Sequence, residues 1–242
     1  MPDLNTKMLY MDDIDGNYIQ EFEAEILKIK DDYVVLDQSA FYPLGGGQPS
    51  DTGTLEKDGK QYRIKEVTKK GIVKHHLEDK EGLEVGDRVK CTLDWDTRHA
   101  LMRMHTAQHL ISALVYDTYK ARTVGNQIYA DKSRIDFEPL TKADTDLEKI
   151  ENLMNEYVEK GLPVTVTEEQ RDNLEQCVDP AKVNLDLLPA SIKVLRVIKV
   201  GDIDICPCAG THIRNTKEIG RVKILKKDNK GSGRVRITYE LQ

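Results

Sequence analysis

The segment His105-Thr-Ala-Gln-His109 carries two imidazoles four residues apart. On a helix, this spacing places one ring a turn above the other, so that a single metal ion could bind both. Both histidines flank an apolar stripe, which would place the ion at the edge of the core, within reach of a substrate. The alternative is a pair of flank histidines with ordinary hydrogen bonds, and the spacing alone leaves it open.

A second pair of possible ligands lies in the segment Cys206-Pro-Cys208-Ala-Gly-Thr-His212. Its thiol and imidazole are four residues apart around a glycine, a compact turn that can offer sulfur and nitrogen to one ion. Cys206 is an alternative ligand, but Cys208 has the better spacing to His212. A buried cysteine beside an unrelated histidine would give the same pattern.

Together the two pairs form the set His105, His109, Cys208 and His212, and three imidazoles with one thiolate are typical of a zinc site. The pairs lie about a hundred residues apart, so the fold must bring them together. The four cysteines of the chain follow no disulfide framework, which favours reduced thiols or metal ligation. Ligand spacing alone does not separate one zinc ion per chain from coincidence.

A third candidate is the glycine-rich segment Phe41–Gly53, with three consecutive glycines at Gly45, Gly46 and Gly47. Without side chains, this backbone could approach a ligand closely and present its amides to it. The segment is not a P-loop, because no Gly-Lys-Ser/Thr follows. An ordinary loop between two strands is the alternative interpretation.

Secondary-structure elements must hold these candidate residues in place. In the first hundred residues the sequence pattern predicts short strands. Alternating apolar residues and turn signals favour a small barrel or sandwich. The predicted elements are two strands within Glu25–Leu36 around Asp31–Asp32, a hairpin of Gly53–Lys57 with Lys60–Val67 across Asp58–Gly59, and strands at Ile72–Leu77 and Val89–Trp95.

After residue 95 the pattern becomes that of an α+β domain. A helix is predicted from residue 96 to about 119, with Asp96 or Thr97 as its N-cap, and a second from Asp144 to Lys160. Further predicted elements are strands at Val164–Thr167 and Ile192–Val200, a short helix at Arg171–Cys177, and a closing pair at Gly220–Lys226 and Gly233–Leu241. We therefore predict two domains, residues 1–95 and 96–242.

Charge and hydropathy narrow the class of protein. The 242 residues have a formal net charge of −6, which argues against nonspecific coating of nucleic acid or membranes. No apolar run is long enough to span a membrane and the N-terminus has no signal pattern, so we predict a cytoplasmic protein. The C-terminal hairpin, residues 221–236, holds seven basic residues against Asp228 alone. This favours binding of one particular nucleic acid, and a solvated hairpin is the alternative.

Three motifs in this order, FYPLGGGQPSDTG, HTAQHL and CAGTH, resemble the editing region of alanyl-tRNA synthetase and its free-standing relatives, the AlaX proteins. The match runs from about Phe41 to the C-terminus. The resemblance implies an N-terminal β-barrel-like domain with the glycine-rich loop, followed by a metal-binding α+β domain similar to the editing domain of threonyl-tRNA synthetase. It implies the middle-length form, since no room remains for an aminoacylation domain or a further tRNA-binding domain.

The resemblance also implies an activity, hydrolysis of the ester that joins a wrong amino acid, chiefly serine, to tRNA(Ala). Zinc would position the substrate or activate water, and His212 is the candidate for a loosely held ligand. We expect Gln48, Thr106 and Gln108 to contact the substrate or the attacking water. Gly45, Gly46, Gly47 and Asp51 are expected to bind the substrate. Many synthetases have threonine where this chain has Gln108, so side-chain discrimination does not transfer directly.

Two other functions compete with editing. One is a noncatalytic RNA-binding module with structural zinc, and the other is a metal-dependent esterase of small substrates. A structural-zinc module has no use for a loop that presents backbone amides to a substrate. The order of the three motifs favours the editing hydrolase over both. The oligomeric state is not predicted by any of these features.

Overall fold

The computed structural model describes residues 4–183, 185 and 188–242, and the chain forms two compact units, residues 1–99 and 100–242. The fold is α+β, as the sequence predicts. No helix in the described ranges is long and apolar enough to cross a membrane.

The N-terminal unit is built around a closed six-stranded barrel in the order β2-β3-β7-β6-β5-β8. A parallel pair, β1 with β4, lies outside it. The strands are β1 (Lys7–Met8), β2 (Glu21–Lys30), β3 (Tyr33–Leu36), β4 (Gln38–Ser39), β5 (Gly53–Lys57), β6 (Lys60–Lys70), β7 (Ile72–Leu77) and β8 (Arg88–Leu93).

The barrel forms because its strands alternate apolar and polar residues, which turns one face of each strand into a common core. In β7, for example, Val73, His75 and Leu77 are buried and the residues between them are partly exposed. The β5–β6 turn is Asp58–Gly59, where φ is +51° and +80°. Two positive φ angles are the requirement of the tight hairpin turn that this dipeptide predicts.

Among its described residues, the C-terminal unit contains two sheets and three α-helices, of which the first begins in the N-terminal unit. The strand orders are β14-β15-β10-β9 and β11-β12-β13, and all pairs are antiparallel. The elements are α1 (Trp95–Tyr119), β9 (Arg122–Gln127), β10 (Lys132–Glu138), α2 (Leu147–Lys160), β11 (Val164–Gln170), α3 (Arg171–Cys177), β12 (Val194–Val200), β13 (Asp204–Pro207), β14 (Val222–Asn229) and β15 (Val235–Leu241).

Helix α1 is the element that carries the first pair of possible ligands. Its predicted apolar stripe, from Leu101 to Val115, is buried, and so are Met102 and Leu110 outside that stripe. The helix therefore runs through the interior and not along a half-solvated face. Such a helix holds its polar side chains in fixed positions.

Several predicted boundaries differ from the observed ones by a few residues, among them those of α1 and α2. Strand β8 ends at Leu93 and α1 begins at Trp95, so Asp96 and Thr97 lie in the first turn of the helix and do not cap it. At the junction the side chain of Asp94 binds Thr52 and Arg63, and its carbonyl accepts from the amide of Arg98 at 3.0 Å, which begins the helical hydrogen bonds. Helix α2 begins at Leu147, where Asp146 accepts a capping hydrogen bond, and ends at Gly161 as predicted.

Candidate metal centre

Helix α1 and the loop after β13 bring the two predicted pairs of ligands together. His105, His109 and His212 are buried, and Cys208 is half-buried beside them. One ligand atom from each of the four residues lies within 4.8 Å of every other. Within the described residues this is the one group of three or more His, Cys, Asp and Glu side chains that could hold a metal.

The loop that carries Cys208 is fixed by Arg196 of β12. The amide of Cys208 donates to the carbonyl of Arg196 at 3.1 Å. The guanidinium of Arg196 donates back to the carbonyls of Cys208 at 2.6 Å and Gly210 at 3.0 Å. Sulfur and imidazole are thus presented by a turn with little freedom to move, which favours tight ligation.

The two separations between sulfur and nitrogen that the contacts define match edges of a tetrahedral zinc site. Cys208 Sγ lies 3.6 Å from His105 Nε2 and 3.5 Å from His212 Nε2. Ligand bonds of about 2.3 Å to sulfur and about 2.0–2.1 Å to nitrogen, at tetrahedral angles, require about 3.6 Å between the two atoms. The residues present therefore fit zinc in both donor type and spacing.

Two further side chains fix which ring nitrogen faces the cluster. His109 Nδ1 lies 2.9 Å from the buried carboxylate of Asp204, so it carries the proton that it donates and leaves Nε2 free. His212 Nδ1 lies 3.1 Å from Thr106 Oγ1, whose hydroxyl donates to the carbonyl of Met102. His212 therefore donates to Thr106 and also presents Nε2.

The position of Thr106 changes its expected role. Its hydroxyl binds His212 and Met102 and also accepts from the amide of Ile213 at 3.3 Å. It supports a ligand and has no remaining proton to donate to a substrate. The same contacts, with full burial of the ring, hold His212 firmly and give no support to its being the loose ligand.

The electrostatics of the cluster favour a thiolate. Burial acts to raise the pKa of the Cys208 thiol, but its contacts with His105, His109 and His212 outweigh burial and hold that pKa well below its ordinary value. Burial lowers the pKa of His105 and of His212. Burial acts in the same direction on His109, but its hydrogen bonds to Asp204 and Cys208 raise its pKa. Thiolate and neutral imidazole are the forms that bind zinc, so the pKa shifts of Cys208, His105 and His212 favour ligation, whereas His109 would have to lose a proton when the metal binds.

Cys206, the alternative sulfur ligand, is not part of the cluster. Its Sγ contacts the carbonyl of Pro207 at 3.6 Å, and burial raises the pKa of its thiol well above the ordinary value. A thiol that stays protonated is a poor metal ligand. The geometry thus agrees with the preference for Cys208.

Gln108 lies in a polar network on the same face of α1. Its Nε2 donates to Ser112 Oγ at 2.9 Å, and its Oε1 accepts from Asn126 Nδ2 at 3.3 Å. Thr123 donates to Ser112 at 2.8 Å. Because Gln108 is three residues after His105 and adjacent to His109, this network borders the ligands along the helix. Asn126, Ser112 and Thr123 were not predicted as site residues, since none of them lies within one of the three motifs.

The glycine-rich segment forms a tight two-residue turn in the N-terminal unit. Gly45 and Gln48 exchange backbone hydrogen bonds of 3.2 and 2.9 Å, and Gly46 and Gly47 between them have φ of +58° and +83°. Positive φ at two consecutive positions explains why glycines are needed there. Gln48 is buried and Gly46 is exposed.

Asp51 closes this segment and is committed to internal partners. Its carboxylate accepts from the guanidinium of Arg98 and, at 2.6 Å, from the amide of Tyr42. Arg98 is fully buried and also donates to the carbonyls of Asn17 and Ala40. Asp51 therefore anchors the base of the loop, whereas the sequence analysis expected it to bind the substrate.

Most basic residues of the C-terminal hairpin bind partners within the chain. Four of its basic residues form ion pairs and Lys227 binds a carbonyl. The ion pairs are Lys223–Glu151, Lys226–Asp228, Arg234–Glu138 and Arg236–Asp136, at 2.9, 2.9, 2.8 and 2.6 Å, and Lys227 donates to Thr145. Paired cations offer little uncompensated charge to phosphates.

Comparison with known proteins agrees with the motifs. Residues 6–97 match the family described as class II (A) tRNA synthetases, and residues 195–238 match the second additional domain of threonyl and alanyl tRNA synthetases. The chain is 37% identical to alanyl-tRNA editing protein AlaX-M of Saccharolobus solfataricus, over 98% of this chain and 99% of the relative. It is 38% identical to the AlaX-M protein of Methanosarcina barkeri over the same shares. Alanine–tRNA ligase of Thermococcus kodakarensis is 37% identical over 99% of this chain but only 26% of the ligase.

Proposed function

The chain belongs to the AlaX-M family of alanyl-tRNA editing proteins, and on that premise we propose that it removes serine from mischarged tRNA(Ala) with one zinc ion at the His105–His109–Cys208–His212 cluster. Its activity class is that of an aminoacyl-tRNA deacylase, and its partner is tRNA(Ala). The observation that supports the metal most strongly is the pair of tetrahedral edge lengths, 3.6 and 3.5 Å, around Cys208 Sγ.

The reaction needs a nucleophile and a polarised ester. Water adds to the carbonyl carbon, the bond to the ribose oxygen breaks, and that oxygen takes up a proton. A zinc ion in this cluster would supply Lewis-acid activation of the ester or of the water. Asp204 and Thr106 act on the ligands, because each fixes one imidazole with Nε2 toward the cluster.

Serine must be recognised by its hydroxyl. A pocket sized for alanine rejects a similar side chain with one added hydroxyl by only about a hundredfold, so translation needs a second site that requires the hydroxyl. Gln108 is our candidate for that contact, because it lies three residues after His105 on helix α1 and its amide, which donates to Ser112 and accepts from Asn126, has a second N–H and a second lone pair for a hydroxyl. Alanine has no hydroxyl to use this remaining hydrogen-bonding capacity, so it gains less binding energy than serine.

The glycine-rich loop is our candidate for holding the acceptor end. Gly45, Gly46 and Gly47 present a backbone that a ligand can approach closely, and Gln48 is proposed to hydrogen-bond the substrate or the attacking water. Asp51 contributes by anchoring the loop through Arg98. In this proposal residues 1–95 form the loop-bearing domain and residues 96–242 form the zinc-binding editing domain.

Chelation tests the proposal directly. Seryl-tRNA(Ala) should be deacylated by the purified protein, lose this activity after prolonged treatment with a strong zinc chelator, and regain it with one equivalent of zinc. Undiminished activity in protein shown to contain no metal would contradict the role of zinc and leave the deacylase assignment standing.

A further inference from the structure

The free positive charge of the N-terminal unit is concentrated on the β6–β7 hairpin. Lys65, Lys69, Lys70 and Lys74, which we call the lysine patch, lie on these two strands. In the part of the chain that the structure describes, no carboxylate forms an ion pair with any of them. Lys74 Nζ lies 4.8 Å from the centre of the Tyr33 ring.

The register of the hairpin places these cations near one another. Lys70 pairs with Ile72, and Thr68 pairs with Lys74, so Lys70 and Lys74 are diagonal neighbours on one face. Lys69 projects from the opposite face at the same end, where it is exposed. Lys65 stands at the bulge between Ile64 and Glu66.

Acidic residues do not neutralise this end of the hairpin. Glu66 pairs with His76 in the strand register. Asp32 binds His76 at 3.1 Å, and this contact, with a smaller contribution from the charge of Lys65, lowers the pKa of Asp32. Residues 67–75 contain no acid. The patch thus keeps uncompensated charge in a chain of net charge −6, in contrast to the paired cations of the C-terminal hairpin.

We propose that the lysine patch binds the sugar–phosphate backbone of tRNA(Ala). The inference rests on the proposed function for its partner and adds the surface that holds the tRNA. Unpaired lysines at the spacing of neighbouring strand positions can each meet a phosphate, which gives affinity and position without reading sequence. An anionic membrane is a poorer fit, because exposed large apolar side chains would be needed to insert. In the described residues of this unit those are Leu44 and Val85, and neither is on the hairpin.

Two matched triple variants of the full-length protein test the assignment. One replaces Lys69, Lys70 and Lys74 with glutamine, and the control replaces Lys226, Lys227 and Lys230 on the C-terminal hairpin. Both remove three positive charges and keep side chains of similar length. The measurements are the affinity for uncharged tRNA(Ala) over a series of salt concentrations, cosedimentation with anionic lipid vesicles, the KM and kcat of seryl-tRNA deacylation, and thermal unfolding as a check of the fold.

The patch variant should bind tRNA at least about tenfold more weakly at low salt, and its log–log salt dependence should flatten by roughly two to three units, about 0.7–0.9 for each lost phosphate contact. Its KM should rise while kcat at saturating tRNA stays at the wild-type value. The control variant should change each quantity much less.

Three results would overturn the assignment. The first is wild-type tRNA affinity in the patch variant. The second is an equal loss of tRNA affinity in the two variants, which would mean that total charge governs binding. The third is a patch variant that no longer binds anionic lipid vesicles but keeps its tRNA affinity. Failure of the proposed function would be a different result, namely a wild-type protein without deacylase activity. The tRNA affinities of the variants would still show whether the patch binds tRNA.

Discussion

His109 donates from Nδ1 to the carboxylate of Asp204 at 2.9 Å, and the two side chains are 5% and 6% exposed. The contact joins helix α1 to the first residue of β13, across 95 positions of the chain. Lys182 lies 3.7 Å from the other carboxylate oxygen. A buried carboxylate that orients a metal-binding imidazole is a recurrent support of zinc sites.

Removal of this support should weaken the proposed zinc site without removing a ligand. Asp204→Ala should lower zinc affinity by about 10–100-fold, because the His109 ring loses its fixed orientation and tautomer. Asp204→Asn, which can still accept a hydrogen bond, should lose less. Competition with a chromophoric chelator measures both, with Asp202→Ala on the exposed turn beside β13 as the control. Unchanged affinity in Asp204→Ala would show that His109 is positioned without it.

The purified protein should contain about one zinc ion per chain, and its sulfur ligand should be Cys208 and not Cys206. Cys208→Ala and His109→Ala should lower the zinc content measured by elemental analysis, because each removes one of four ligands. Cys206→Ala should retain it, since that sulfur is outside the cluster. Full zinc content in Cys208→Ala, or its loss in Cys206→Ala, would mean that the wrong cysteine has been assigned.

Asp51 should matter for stability of the N-terminal unit. Asp51→Asn should lower its free energy of unfolding by about 3–5 kcal/mol, because it leaves the charge of Arg98 buried without a partner. Trp95, the one tryptophan of the chain, packs against Tyr18 and His99 of this unit and reports its unfolding by fluorescence. Glu21→Gln, which breaks an exposed pair with Lys90, should cost at most about 1 kcal/mol. Similar small effects of both substitutions would argue that Asp51 acts on the substrate instead.

The barrel should lose stability in acid through His75. Burial lowers the pKa of this histidine to about 4, and its Nε2 lies 2.8 Å from Ser39 Oγ. In the unfolded chain His75 takes up a proton near the ordinary pKa of 6.5. The contribution of neutral His75 to the free energy of unfolding is therefore complete above pH 6.5 and is lost as the pH falls toward 4. It amounts to about 3 kcal/mol. Urea unfolding followed by Trp95 fluorescence should show a shallower loss between these pH values in His75→Gln. An identical pH dependence in both proteins would contradict this origin.

Local patterns predicted the elements that carry motifs. The Asp58–Gly59 turn correctly predicted the β5–β6 hairpin and Ile72–Leu77 is a strand as predicted, and ligand type and spacing indicated the two pairs that form the metal cluster. Both depend on neighbouring residues alone. The sequence therefore indicates which side chains are available, and the structure adds the distances between the two pairs.

Other features depend on long-range contacts and were missed. Strands β9 and β10 were not predicted, although Ser133, Ile135 and Phe137 of β10 alternate as buried residues. Strand β13 is only four residues long and contains a proline, so no periodic signal could reveal it. Asp204 lies two residues before Cys206 in the sequence, and its contact with His109 of α1 spans 95 positions, so no local pattern could predict it. The ion pairs of the C-terminal hairpin likewise involve partners from α2 and β10, which composition does not show.

The most direct test of the central claim compares two substrates at one site. Rates of deacylation are measured under single-turnover conditions for seryl-tRNA(Ala) and alanyl-tRNA(Ala), with the zinc-loaded protein in excess. The account predicts that the serine ester is hydrolysed much faster, because only serine offers a hydroxyl to the polar network of Gln108. Equal rates for the two esters would contradict it, since they would show that the site does not read the hydroxyl.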